Sequence, residues 1–513
     1  MTRALRIVLA SVFVVSGALA VPGGRAQSIA DAITELDVIH AKELLDKTDS
    51  DSPTLSFERA RLAIYVGDCD TAAAILSSPS LANTPEGAGL AELAKSCAGA
   101  TAASVVVEDE KHGVWVRLQD ERDRVLVPII VDVASKARAR IGADLGSTLP
   151  RPLRIDLVRD LFSLSAVSGL PLQAAETTGT VAVARWGRVT MISPRATALG
   201  FPWEDTLAHE ITHLTLSRAT RDRAPLWLQE GIAKREETRW RPAEPFDATP
   251  SPDETARQAL LTGRSVGIDK LGPSIAMLPT PEAASIAFAE VTSFMEYWIH
   301  ENGTAALALL LADLKGLSTP DPSAAMRSVT GYDLSFWILR WRKYLRELPE
   351  PKHEKTLGPH GSSSEMGEVA RRLRLGDLLF NRGYPKAAAE QLAAGVAAVP
   401  DEAILRFRAA RALAASGDED QARETLGTLK DIRAVHGGWF ALHGRWQRPA
   451  DPKAAERSFG LAVAVDPLSE TVACEGVWTP RVPPGAKPGP VPPLPHNAAR
   501  RGLCEDARKS PQN

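Results

Sequence analysis

Between residue 29 and about residue 100, apolar side chains recur every three or four positions, the spacing of helices with one buried face. Residues 57–65 and 71–76 read as a helix pair around a turn at Gly67-Asp68. From about 104 the pattern changes. Residues 104–108 and Val114–Leu118 are β-branched runs of the kind strands need. Leu153–Val158 alternates apolar and polar side chains, the period of a half-buried strand. Residues 180–184 and 189–192 are two further strands about a turn at Trp186-Gly187, while 128–141 reads as a helix that tolerates Pro128 in its first turn. Helical spacing then fills 203–240 and 284–345. Residues 241–283, rich in Pro, Ala and Thr, are expected as a long irregular insertion. Strands first and helices after predict an α+β fold.

Beyond 345 the pattern changes twice more. A polar linker over 350–366 holds Pro351, Pro359 and Gly361. Over 367–470 an internal repeat follows. Gly383-Tyr384 with Ala387-Ala-Ala recurs as Gly417-Asp418 with Ala422, a period of 34, and Pro400 and Pro467 lie close to two periods apart. A third copy, around 433–467, is degenerate. This region resembles tetratricopeptide repeats, stacked helix pairs whose surfaces can bind a protein partner. The tail over 471–513 holds eight prolines between 480 and 495 and is expected to be extended.

A net charge of −3 over 513 residues gives no electrostatic ground for nucleic acid as a partner. Arg3 and Arg6 followed by the short apolar run 7–15 and small residues read as a signal peptide over 1–26, cleaved after Ala20 or Ala26. No later run is long enough to span a bilayer, so no integral membrane segment is expected once the signal is removed. Four cysteines fall into two local pairs. In an oxidising compartment these are expected as disulfides, Cys69 with Cys97 and Cys474 with Cys504. Signal and cysteines together predict an exported protein, periplasmic or secreted, of bacterial type.

The chemistry concentrates in His209-Glu210-Ile211-Thr212-His213. On a helix, positions i and i+4 share one face, so both imidazoles can bind one Zn²⁺. Glu210, one residue on, faces the water on such a metal and can act as general base. By chance this motif arises on the order of once per hundred such chains, so alone it is only suggestive. Seventeen residues after His213 comes Glu230, within Ala224-Pro-Leu-Trp-Leu-Gln-Glu-Gly-Ile-Ala233. A second helix carrying a carboxylate can complete a His₂Glu site and leave one position open.

H-E-x-x-H followed by P-x-W-L-x-E-G-x-A resembles the gluzincin zinc peptidases, most nearly the bacterial peptidase MA-like proteins. The likeness extends over roughly 110–345. It implies a thermolysin-like domain over 104–349, preceded by a helical domain over 27–103 and followed by the repeats. It implies one zinc ion held by His209, His213 and Glu230, with Glu210 as base and proton shuttle and a peptide or protein as substrate. It also implies that strand 189–192, with Ser193-Pro194, is the edge strand lining the substrate cleft. One departure stands out. Many gluzincins carry a Tyr or His that donates to the oxyanion, and this chain has Phe288 where the Tyr is expected, with Tyr297 a poor substitute. Losing such a donor can cost about 10²–10³ in rate. The alternative function is therefore a weak or inactive peptidase-like scaffold that binds envelope proteins through its repeats. Trp227 reads as core rather than as a substrate platform. The run Lys234–Arg239 reads as a solvated helix face, with Glu236 or Glu237 available to orient a ligand histidine. His436 and His443 read as surface or packing residues, and His353 and His360 as linker residues without partners.

Overall fold

The computed structural model describes residues 24–48, 52–197, 200–244, 247, 251–271, 274–275, 278–316, 321–349, 363–428, 436–475, 477 and 497–509. The signal peptide expected over 1–26 lies outside them except for residues 24–26. Residues 350–362 of the linker, with His353 and His360, and residues 478–496 of the proline-rich stretch also lie outside.

The chain opens with six helices: α1 (Gly24–Thr34), α2 (Val38–Asp46), α3 (Pro53–Val66), α4 (Cys69–Leu76), α5 (Pro79–Ala82) and α6 (Pro85–Thr101). Gly67 ends α3 at φ +87°, a left-handed turn that glycine adopts without strain. Five strands follow: β1 (Val105–Asp109), β2 (Val114–Leu118), β3 (Leu153–Val158), β4 (Ala182–Arg185) and β5 (Arg188–Ile192). They form one mixed sheet in the order β1-β2-β3-β5-β4. β3 pairs parallel with β2 and β5, while the outer strands β1 and β4 are antiparallel to their neighbours. The molecule is thus mostly helical with a small mixed sheet, an α+β arrangement.

Alternation along the strands sorts the two faces. Val116, Ile155, Leu157, Val189 and Met191 enter a core shared with α7 (Val127–Leu145) and α10 (Trp203–Thr220). The opposite face carries Arg117, Asp156 and Arg188. Asp156 accepts from Arg117 Nε at 2.8 Å and pairs with Arg188 Nε at 2.9 Å. Arg117 also donates to the Gly67 carbonyl at 2.7 Å, and Arg188 donates to that of Ile64, so buried cations join the sheet to α3. Helix α8 (Leu161–Ser168) packs beside the Cys69–Cys97 disulfide on that side; α9 (Leu172–Thr178) leads into β4.

One expectation is corrected here. Strand 189–192 is not an edge strand. The tight turn at Trp186-Gly187 folds β4 back along β5, so β5 lies between β3 and β4 and the edge belongs to Ala182–Arg185. That edge lies beside α10.

After α10 come α11 (Leu226–Glu236), α12 (Pro252–Leu261), α13 (Pro281–Asn302), α14 (Thr304–Gly316), α15 (Pro322–Thr330) and α16 (Leu334–Glu347). The stretch expected to be irregular thus holds a helix. Ser251 caps α12 by accepting from Glu254 N, Pro252 sits in its first turn, and Asp253 and Glu254 make that turn acidic. The repeats are three helix pairs: α17 (Ser363–Asn381) with α18 (Pro385–Ala398), α19 (Ala403–Ala415) with α20 (Glu419–Leu426), and α21 (Gly437–Gln447) with α22 (Pro452–Val465). Then come α23 (Glu470–Glu475) and α24 (Asn497–Lys509). Part of the tail expected to be extended is therefore a helix. Cys474–Cys504 ties α24 to α23, and Asp506 accepts from Arg195 Nη2 at 3.0 Å. No helix of the described residues is long and apolar enough to cross a membrane.

Candidate metal centre

Helix α10 is long enough for two i, i+4 side chains to meet, and its apolar face is buried through Leu207, Ile211 and Leu214. That burial fixes its rotation. Its first turn is held by Asp205, which accepts from Arg241 at 2.9 and 2.6 Å and from Trp240 Nε1 at 3.0 Å. Trp203 is fully buried and donates its indole N–H to the Val463 carbonyl at 3.1 Å, while Phe201 N donates to the Val465 carbonyl at 2.9 Å. The last repeat pair thus seats the start of this helix.

Helix α11 crosses α10 after a turn in which Arg221 and Asp222 adopt positive φ. Trp227 is buried edge-on against Phe294, with ring centroids 5.6 Å apart, and is a core residue as the sequence suggests. The glycine of the E-G pair has a steric role. A Cβ on Gly231 would lie 2.6 Å from both the Val291 carbonyl oxygen and Met295 Cγ. Only glycine permits this closeness of α11 to α13, and it sits directly beside Glu230.

The donor atoms converge. His209 Nε2 and His213 Nε2 are 3.1 Å apart, and Glu230 Oε2 lies 3.6 Å from the first and 3.7 Å from the second. Ligands at about 2.0–2.1 Å from a tetrahedral ion are separated by about 3.3–3.5 Å. The observed triangle has the size one ion needs, and these three residues form a group able to hold a metal.

The surroundings favour positive charge there. His209 Nδ1 faces Glu237 Oε2 at 3.2 Å, and because a carboxylate only accepts, Nδ1 carries the proton and Nε2 is left for a metal. Burial opposes charge on His209, but Glu230 and Glu237, with Glu210 adding to them, raise the imidazole to about 10. Burial also works against the Glu230 and Glu237 carboxylates. His213, His209 and Lys234 nonetheless hold Glu230 low, and Lys234 and His209 do the same for Glu237. A site whose carboxylates prevail over desolvation in this way is suited to a cation.

Glu210 is buried to 8% exposure beside His209, and no described residue hydrogen-bonds to its carboxylate. Of the two carboxylates expected to orient a histidine, Glu237 does so. Glu236 is fully buried and turned away, paired with Arg235 and, at 3.4 Å, with Arg239 Nε; burial, with the nearby Asp144 of α7 adding to it, pushes it up to about 7. The run 234–239 is therefore a packed face rather than a solvated one. Lys234 was not singled out in the sequence, yet it donates to both Glu237 oxygens at 2.7 and 2.9 Å, and its ammonium lies 5.9 Å from the centre of the Phe288 ring. The signal was present: residues 230, 234 and 237 are one and two turns apart on one helix face. Phe288 comes near the site only through its contact with Lys234. Tyr297 does not come near: it stacks on Tyr344 at 5.0 Å and its hydroxyl meets Arg340 at 3.4 Å. His443 stacks on Trp439.

No family model, curated protein or solved structure matches the chain.

Proposed function

We propose that the chain is an exported zinc metallopeptidase of the gluzincin type. The observation that carries this reading is the triangle of His209 Nε2, His213 Nε2 and Glu230 Oε2, with Glu237 fixing the tautomer of one imidazole. Two imidazoles and one carboxylate with a fourth position open are the donor chemistry of catalytic zinc rather than structural zinc, which favours four protein ligands. When bound, zinc supplies Lewis acidity and lowers the pKa of water.

The protein's own groups have separate tasks. His209, His213 and Glu230 hold the ion. Glu237, neutralised in part by Lys234, keeps His209 oriented. Glu210 takes a proton from water and returns it to the leaving amine. The outer edge of β4, beside α10, offers backbone groups to an extended peptide. Both disulfides, and the signal-like start of the chain, support export.

A second reading, a weak or inactive scaffold, is favoured by one observation: the Tyr297 hydroxyl is engaged by Arg340, and Phe288, where the resemblance expects a Tyr, has no hydroxyl to offer. Metal analysis of the purified protein and casein hydrolysis by the wild type and Glu210→Gln decide between the two. The peptidase reading expects one zinc per chain in both proteins and hydrolysis only by the wild type. Zinc in both with equal, background hydrolysis establishes the scaffold.

A further inference from the structure

Cys69 opens α4 and Cys97 lies toward the end of α6, and the disulfide between them rests on the charged face of the sheet, away from α10. The cation that meets it is Arg188 of β5, which has no exposed surface. Arg188 Nη2 points at the bridge, 3.6 Å from Cys97 Sγ and 3.9 Å from Cys69 Sγ, and donates to the Val167 carbonyl of α8 at 3.4 Å. Its Nη1 is taken by the Ile64 carbonyl of α3.

The surroundings do not balance this cation. Among the described residues one carboxylate, Asp156, lies against it, 2.9 Å from Nε, and Asp156 is shared with Arg117. Arg117 of β2 and Arg154 of β3 add like charge. Buried donors are left over, since Arg117 Nη2 and Arg154 Nε have no hydrogen-bond partner. The acids of the neighbouring helices are committed elsewhere. Glu58 of α3 pairs with Arg61 at 2.8 Å, and Asp68 caps α4 by accepting from Thr71 N at 3.0 Å. On α6, Glu86, Glu92 and Lys95 are exposed. Arg185 of β4 donates to the Ser168 and Gly169 carbonyls. Burial prevails over Asp156 and brings Arg188 down to about 10.

An oxidised bridge has no charge to offer this guanidinium, whereas a reduced pair has. Opposite charge within about 4–6 Å lowers the pKa of an acid by about 1–3, and a thiol beside a buried arginine is such an acid. We propose that Cys69–Cys97 is a redox-active bond, opened by a dithiol reductant to a thiol–thiolate pair whose negative charge is held by Arg188. The S–S bond of the protein breaks and an S–S bond forms in the reductant. The dithiol gives two electrons and two protons; one proton stays on the pair and the other passes to solvent. Because the same guanidinium fastens α3 to the sheet, the state of the bond is felt where the N-terminal helices meet β5. Cys474–Cys504 has no cationic side chain at its sulfurs among the described residues and remains structural.

The proposal does not depend on the metal centre. It is tested on the full-length mature chain, equilibrated without oxygen in dithiothreitol of known reduced-to-oxidised ratios between about pH 6 and 8, where this reductant keeps its protons. Acid quenching, thiol labelling and peptide mass spectrometry read each bridge separately. One proton leaves per bond opened, so the exchange constant of Cys69–Cys97 is expected to rise about tenfold per pH unit once the thiolate forms. That of Cys474–Cys504 should stay level. Arg188→Met should abolish the rise and lower the constant at pH 8 about tenfold or more. Lys95→Met, which removes an exposed cation two residues from Cys97, should leave both unchanged. A level constant in the wild type overturns the proposal, as does a bridge that the reductant fails to open, or an Arg188→Met chain that matches the wild type. An equal rise at Cys474–Cys504 assigns the pH dependence to general loosening of the fold and also overturns it. If Arg188→Met fails to fold, the wild-type pH series and the comparison of the two bridges decide.

Discussion

The metal centre and the cluster beneath Cys69–Cys97 both gather buried charge, yet their electrostatics run in opposite directions. Around His209 three carboxylates, Glu210, Glu230 and Glu237, converge, and the imidazole between them is driven toward the charged form. Around Arg188 the cations outnumber the one carboxylate that pairs with them, and the guanidinium is driven toward the neutral form. Burial is common to both and works against charge in each. What differs is the sign of the neighbours, and that sign decides whether a cation or an anion completes the site.

Three changes on the metal side break or sharpen this contrast. The largest effect is expected from Glu230→Gln, which removes a ligand and the carboxylate nearest both imidazoles. Zinc affinity should fall by more than the roughly 100-fold that bounds losses from outer partners, measured by competition with a chelating dye. Next is Glu237→Gln, which leaves the three ligands and loosens His209. Its zinc affinity should fall about 10–100-fold in the same titration. The smallest effect is expected one residue away, at Glu236→Gln. With its folded pKa about 7 against 4.5, Glu236 holds its proton more tightly in the fold than in the unfolded chain. Its contribution is therefore complete below about pH 4.5 and is lost as pH rises toward about 7. Melting temperatures from pH 4.5 to 8 should fall less steeply in the variant, by a few degrees at about 2–4 °C per kcal/mol, with zinc binding intact. A marked loss of zinc in Glu236→Gln would erase the distinction drawn between these adjacent carboxylates.

Much of the centre was legible because its information is local. The i, i+4 histidines need only one helix, and Glu230 stands out through the residues that begin the next. Glu237 was legible as one of two candidates; choosing it required knowing that Glu236 is buried and paired with Arg235 and Arg239. The edge strand was misassigned because strand order is a tertiary property: the run 189–192 has the same pattern whether or not β4 pairs outside it. Helix α12 carried its start signals, Ser251-Pro252-Asp253-Glu254, but the proline-rich composition around them masked it. Helix α24 was hidden by the same bias, although Cys504 and Asp506 anchor it. The pairing of Cys69 with Cys97 was legible from their order, but the cation beside them was not, since Arg188 lies more than 90 residues from either cysteine and shares no motif with them.

The seating of α10 on the last repeat pair has a consequence for how such a protein can be cut or recombined. The indole N–H of Trp203 and the backbone N–H of Phe201 end on carbonyls more than 250 residues further along the chain. Deleting the C-terminal third would bare a completely buried tryptophan and leave two N–H groups without acceptors at the base of the helix that bears both imidazoles. The half that bears the candidate metal centre is therefore not a freestanding cassette, and any exchange of the repeats must preserve the carbonyls of residues 463 and 465 as a matched seam.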